Sequence, residues 1–134
     1  MDKHIIVVGL CGSGKSHLLK EYSKTHAIHD DFVSNFCSGK LISDLNLGKR
    51  VCVADPRLCD YNIFEDYILG VFDMSEVHII LFENDTEKCV NNIGERKNPS
   101  WWVSTILKLS KLYDLSNYSQ YDITIRKVYL NVLL

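Results

Sequence analysis

Gly9-Leu10-Cys11-Gly12-Ser13-Gly14-Lys15-Ser16 follows directly on the apolar run Ile5-Ile6-Val7-Val8 and opens a stretch with helical spacing. A strand, a glycine-rich turn and a helix in that order make a phosphate-binding loop. Glycines let the main chain come close to a phosphate, the loop amides point inward, and the helix N-terminus adds partial positive charge. Gly9, Cys11, Gly12, Ser13 and Gly14 supply the cradle, with His17 in the first helical turn beside it. Lys15 is placed to reach the β- and γ-phosphates, and the Ser16 hydroxyl to hold Mg²⁺. The four fixed positions would coincide by chance in roughly one chain of this length in a few hundred. The pattern is therefore read as a site for a nucleoside triphosphate, ATP with Mg²⁺.

The rest of the chain bounds the context. Its 134 residues suit one domain spanning 1–134, and 46% hydrophobic with 24% charged residues is an ordinary globular profile. A net charge of −2 gives no overall pull toward nucleic acid or an anionic membrane, so contact with nucleic acid would need a local basic patch. The five cysteines (Cys11, Cys37, Cys52, Cys59, Cys89) include no C-x-x-C pair, which argues against a disulfide framework and for a reducing cytoplasm. Cys52 and Cys89 fall in apolar patterns and read as core. No apolar run reaches the length of a membrane span, and the first residues lack a signal peptide's apolar stretch.

Apolar runs at Ile5–Val8, Val51–Ala54 and Val77–Phe82 predict strands buried on both faces, with a brief strand within 26–33. Helical spacing covers Lys15–Lys24, roughly Ser34–Leu47 with a break at Ser38-Gly39, Ile63–Phe72 and Thr86–Arg96. Asn98-Pro99 opens a further helix, with Trp102, Ile106, Leu109 and Tyr113 along one face. Tyr121, Ile123 and Ile125 alternate with polar residues, as in an edge strand with one wetter face. Strands alternating with helices predict an α/β fold: a three-layer α/β/α sandwich of the P-loop NTPase type around a mainly parallel sheet.

Ligands of open parallel sheets gather at the carboxyl ends of the strands. That rule selects Asp55 after one strand and Glu83 to Asp85 after another. Asp55 fits a role on metal or acceptor, against the plainer use of Asp-Pro as a turn. Phosphoryl transfer also needs a group to take the proton of the attacking hydroxyl. Asp30 and Asp31 are the candidates, unless they only cap the next helix. Arg96 and Lys97, between two late helices, suit a lid that offsets charge in the transition state, or the usual basic last turn of a helix. His26, His29 and Asp31 form a loose metal-like cluster, outweighed by ordinary loop histidines. Trp102 heads an apolar stripe and reads as core, which leaves Trp101 as the freer stacking ring.

On these motifs the chain resembles the kinase domain of phage-type polynucleotide kinases, over most of residues 3–115. The loop matches. His29-Asp30-Asp31-Phe32 is similar to the family's acidic pair and aromatic residue, which implies Asp30 as general base and Asp31 beside the substrate. Gly48 to Asp55 looks like the family's basic turn, buried strand and acidic stop. Glu87 to Asn92, with Arg96 and Pro99, is similar to its lid helix, lid arginine and following proline. Where the family binds substrate phosphate with an arginine after the aromatic, this chain has Val33, Ser34 and Asn35. Arg57 is the candidate replacement, or else a solvated loop residue. The resemblance implies ATP- and Mg²⁺-dependent transfer to a hydroxyl, with a nucleic-acid 5′-end or a nucleotide as acceptor. The alternatives are a small-molecule nucleoside or nucleotide kinase, and a nucleotide-binding switch with little or no transfer.

Overall fold

The computed structural model of the chain describes residues 2–94 and 98–129. Its centre is the strand predicted from Ile5–Val8. β1 (His4–Val8) lies between β3 (Val51–Ala54) and β4 (Val77–Phe82), with β2 (Ala27–His29) and β5 (Ile123–Arg126) at the edges. The order is β2-β3-β1-β4-β5 and every pairing is parallel. β1 leads out to the edge strand β2 and the chain returns through β3, so the crevice where the strand order reverses opens at the carboxyl ends of β1 and β3.

Alternation along the strands divides the core in two. Ile6, Val8, Val53, Ile79 and Leu81 face one side, which is covered by α2 (Phe32–Asn35), α3 (Lys40–Asn46), α4 (Tyr61–Phe64), α5 (Thr86–Ile93) and α6 (Pro99–Leu112). Ile5, Val7, Cys52, Ala54, Ile80 and Phe82 face the other. There α1 (Lys15–Tyr22), through Leu18 and Leu19, is the one helix in the cluster among the described residues. Cys37, Cys52, Cys59 and Cys89 are free thiols, and Cys52 and Cys89 are buried. No described helix is long and apolar enough to cross a membrane.

Two elements depart from the pattern. The spacing predicts one helix over 63–72, but α4 gives way to a π turn at Glu65–Leu69. The wider turn carries Tyr67 onto α2, with its ring 5.1 Å from Phe36 and 6.1 Å from Phe32. The alternation at 121–125 predicts Ile125 facing inward. It is 58% exposed, because β5 is an edge strand and the core it shares with β4 thins out past Ile123.

Candidate active site

The loop after β1 is tightly enclosed. Gly12 adopts φ +81°, and a Cβ there would lie 2.5 Å from the Cys89 carbonyl oxygen. Gly14 adopts φ +106°, with the Tyr129 Cβ 2.9 Å from where its own would be. Only glycine combines those angles with that closeness. Lys15 curls into the loop, and its Nζ donates to the carbonyl oxygens of Gly9 and Leu10, both at 2.7 Å. Burial pushes its pKa down from the ordinary lysine value. Ser16 and His17 are exposed at the start of α1.

Two residues that the sequence reading missed close over this loop. Asn92, on α5, donates from its side-chain amide to the Gly12 carbonyl at 2.9 Å and to the Tyr129 carbonyl. Tyr129, just past β5, donates its N–H to the Ser13 carbonyl at 3.1 Å, and its ring lies 4.8 Å from that of His17. Both contacts join distant parts of the chain; Asn92 lies in the stretch Glu87 to Asn92 likened to a lid helix, which gives it no role of its own, and Tyr129 lies in no motif.

Across the crevice, Asp30 and Asp31 follow β2 and are exposed. Asp30 Oδ1 accepts the Asp31 N–H at 2.9 Å. Asp31 adopts φ +49°, the left-handed region, and makes no side-chain cap on α2. Asp55 is fully buried, and both its oxygens are taken. Oδ1 accepts the Arg57 N–H and Nε–H, each at 2.9 Å; Oδ2 accepts Arg57 Nη2 at 2.8 Å and the Val33 N–H at 3.0 Å. Arg57 Nη2 also donates to Ser34 Oγ at 2.7 Å. The pairing with Asp55 raises the Arg57 pKa further. Asp55 and Arg57, singled out for metal or acceptor, thus form a joint that ties the end of β3 to the turn after the acidic pair. Of the residues after β4, Glu83 accepts the Val128 N–H at 3.3 Å, and Asp85 caps α5 by accepting the Lys88 N–H at 3.0 Å.

A cleft of about 510 Å³ brings the two sides together, with the loop, Lys15 and Ser16 on one wall and Asp30, Asp31 and Pro56 on the other. Trp102 lines it as well, although the periodicity predicts core. It is half-buried, packed on the apolar cluster and open to the cleft. Trp101 is 59% exposed and does not line the cleft. Arg96 and Lys97, the expected lid cations, lie outside the described residues. Among the described residues no three His, Cys, Asp or Glu side chains are grouped to hold a metal. His29 pairs with Asp44 at 2.8 Å, and His26 contacts Thr25 and the Lys3 carbonyl. The donor set suits Mg²⁺ all the same, because that ion keeps several waters and takes few protein ligands beside substrate phosphates. The exposed Ser16 hydroxyl is available for this, whereas Asp55 would have to give up one of its donors.

Protein R277 of Acanthamoeba polyphaga mimivirus, described as uncharacterized, is 38% identical to this chain over 138 residues, covering 96% of the chain and 99% of that protein. No protein-family model matches the chain. Among solved structures, a gluconokinase from Sinorhizobium meliloti 1021 superposes with a TM-score of 0.55 at 13% identity, covering 96% of this chain and 84% of its own. A deoxyadenosine kinase from M. mycoides with bound dATP gives 0.55 at 18%, covering 97% and 93%. A shikimate kinase from Bacteroides thetaiotaomicron gives 0.50 at 13%, covering 94% and 86%. At such identities the likeness is one of fold, that of the small P-loop kinases.

Proposed function

We propose that this chain, which belongs to one family with the mimiviral protein R277, is a small ATP-dependent phosphotransferase acting as a single domain on the hydroxyl of a small molecule. The observation that carries this reading is the shared cleft, with a glycine loop, Lys15 and Ser16 on one side and the acidic pair on the other. The kinases it resembles in fold take small acceptors by name.

In this reading the loop amides and Lys15 hold the β- and γ-phosphates, the ammonium exchanging the carbonyls of Gly9 and Leu10 for phosphate oxygens. Ser16 would hold Mg²⁺, which would supply positive charge to offset that of the triphosphate. Asp30 keeps its second carboxylate oxygen for the proton of the acceptor hydroxyl. The acceptor oxygen attacks the γ-phosphorus, the bond from that phosphorus to the β-bridging oxygen breaks, and ADP leaves with the electron pair. Asp55 acts from behind, fixing Arg57 and the turn after Asp31, while Arg96 is the candidate for offsetting charge on the migrating group.

Calorimetry with ATP and Mg²⁺, followed by transfer of labelled γ-phosphoryl to a panel of acceptors, tests the proposal. Lys15→Ala is expected to lower transfer by about 100- to 1,000-fold. Folded wild-type protein that takes up no ATP would overturn the reading. Uptake without phosphorylation of any acceptor would favour a nucleotide-binding switch instead. The polynucleotide-kinase resemblance adds a 5′-hydroxyl oligonucleotide to the panel.

A further inference from the structure

We propose that the amino-terminal end of the sheet carries a second small-molecule site, apart from the cleft, for a zwitterion of the α-amino acid class with an apolar side chain. Its carboxylate rests on His4 and Arg50, and its ammonium on Asp73 and Glu76. The observation that points there is a buried donor turned toward another donor. His4, at the start of β1, is 5% exposed, and its ring stands edge-on to that of Phe72 at 5.5 Å. A main-chain N–H has a fixed direction, and that of Val51 donates to His4 Nδ1 at 3.2 Å. Nδ1 therefore carries no hydrogen, and the hydrogen of the neutral ring sits on Nε2. Burial, which lowers the His4 pKa, favours that neutral form. What faces Nε2, 3.0 Å away, is Arg50 Nη1, and a guanidinium only donates. Glu76 Oε2, 4.0 Å from Nη1, stands beyond hydrogen-bond reach. Two N–H groups converge where one oxygen can accept from both.

His4 and Arg50 line a pocket of about 290 Å³, which shares no lining residue with the cleft. It lies at the starts of β1 and β3, the opposite end of the parallel sheet from the phosphate-binding loop. The remaining lining selects the ligand class. Asp73 and Glu76 come from the turn before β4, and Leu45, Val71 and Phe72 add apolar surface. Asp73 Oδ1 accepts from the Ser75 N–H and Oγ, at 3.0 and 2.7 Å, which fixes the carboxylate on the rim. A bare oxyanion such as phosphate would answer the two donors but meet both carboxylates. A bare amine would suit the carboxylates and leave His4 and Arg50 donor to donor. A molecule that joins a carboxylate to an ammonium answers both, and a space of this size suits a small metabolite.

The test titrates the full chain, without ATP, in a calorimeter. The ligands are leucine, methionine and phenylalanine, the N-acetyl and amide forms of each, acetate, and inorganic phosphate. At least one free amino acid is expected to bind with a Kd of about 1 mM or tighter. Blocking either end of the best binder should weaken it by about 10-fold or more. Arg50→Gln should weaken it by about 10- to 100-fold and leave the calorimetric Kd for ATP in place. Glu76→Gln, a change at an exposed position, should weaken the free amino acid but not its N-acetyl form, a selectivity that a role in folding alone would not produce. No uptake of any free amino acid at about 10 mM, or tighter binding of acetate or phosphate, overturns the inference. So does an affinity indifferent to either variant. No arm depends on phosphoryl transfer, so the result stands apart from the phosphotransferase reading.

Discussion

In the proposed reaction the Asp30 carboxylate would serve two tasks, one oxygen holding the Asp31 amide and the other taking a proton. Asparagine keeps the size and the first contact but accepts no proton at its amide nitrogen. Asp30→Asn should therefore lower kcat by roughly 10²- to 10⁴-fold while calorimetry returns an unchanged Kd for ATP. Single-turnover transfer at the wild-type rate would remove Asp30 from the chemistry and point to Asp31. Asp31 sits at φ +49°, a conformation that costs a non-glycine residue about 1–2 kcal/mol. Its carbonyl accepts from both the main-chain N–H and the side-chain amide of Asn35, which hold the turn in place. The acidic pair was legible as a pair because it ends a strand. The saturation of Asp55 was not, because three of its four hydrogen bonds come from Arg57, whose side-chain direction the sequence leaves open, and the fourth from the Val33 N–H, 22 positions away.

Among the elements, α5 links stability to the site. Asp85 caps it, the Cys89 carbonyl abuts Gly12, and Asn92 donates to the loop. Asp85→Ala removes the cap and is expected to cost about 1 kcal/mol of stability. Because α5 bears on the loop, the same change should weaken ATP binding. Urea midpoints and calorimetry check the two effects, and an unaltered midpoint would refute the first. The strands β1, β3 and β4 could be read directly, since their burial on both faces leaves unbroken apolar runs. The stripe on α6 correctly put Ile106 and Tyr113 in the core. Trp102 packs on that core as the stripe predicts, and it also lines the cleft, which periodicity does not encode. The π turn after α4 escaped for a related reason. It goes with the ring packing of Tyr67 on Phe32 and Phe36, a contact that no local spacing encodes.

For the molecule as a whole, acid should act in two stages. His4 is buried at the start of β1, where Nδ1 accepts the Val51 N–H at 3.2 Å. Burial first, and the Arg50 charge second, lower its pKa from the ordinary value of 6.5. The unfolded chain then binds a proton that the folded chain resists, so stability is complete above pH 6.5 and falls as the pH drops toward the folded value. Asp44, held down chiefly by its hydrogen bond from His29, and Asp122, held by Lys3 and His78, act lower. Their contribution is present above the unfolded value of 3.8 and is lost as the pH falls below it. Urea midpoints at pH 7.5, 6, 5 and 3.5 should show both declines, and His4→Gln should flatten the first; a level profile from 7.5 to 5 would refute it. One more consequence follows from α1. The helix whose first turn would cup the phosphates is also, among the described residues, the one helix on its side of the core, so a bound phosphate compound would fasten that side down. Ligand at a hundred times its Kd adds about 2.7 kcal/mol. A thermal scan over a library of phosphorylated metabolites would therefore rank donors by melting point alone, before any product is sought.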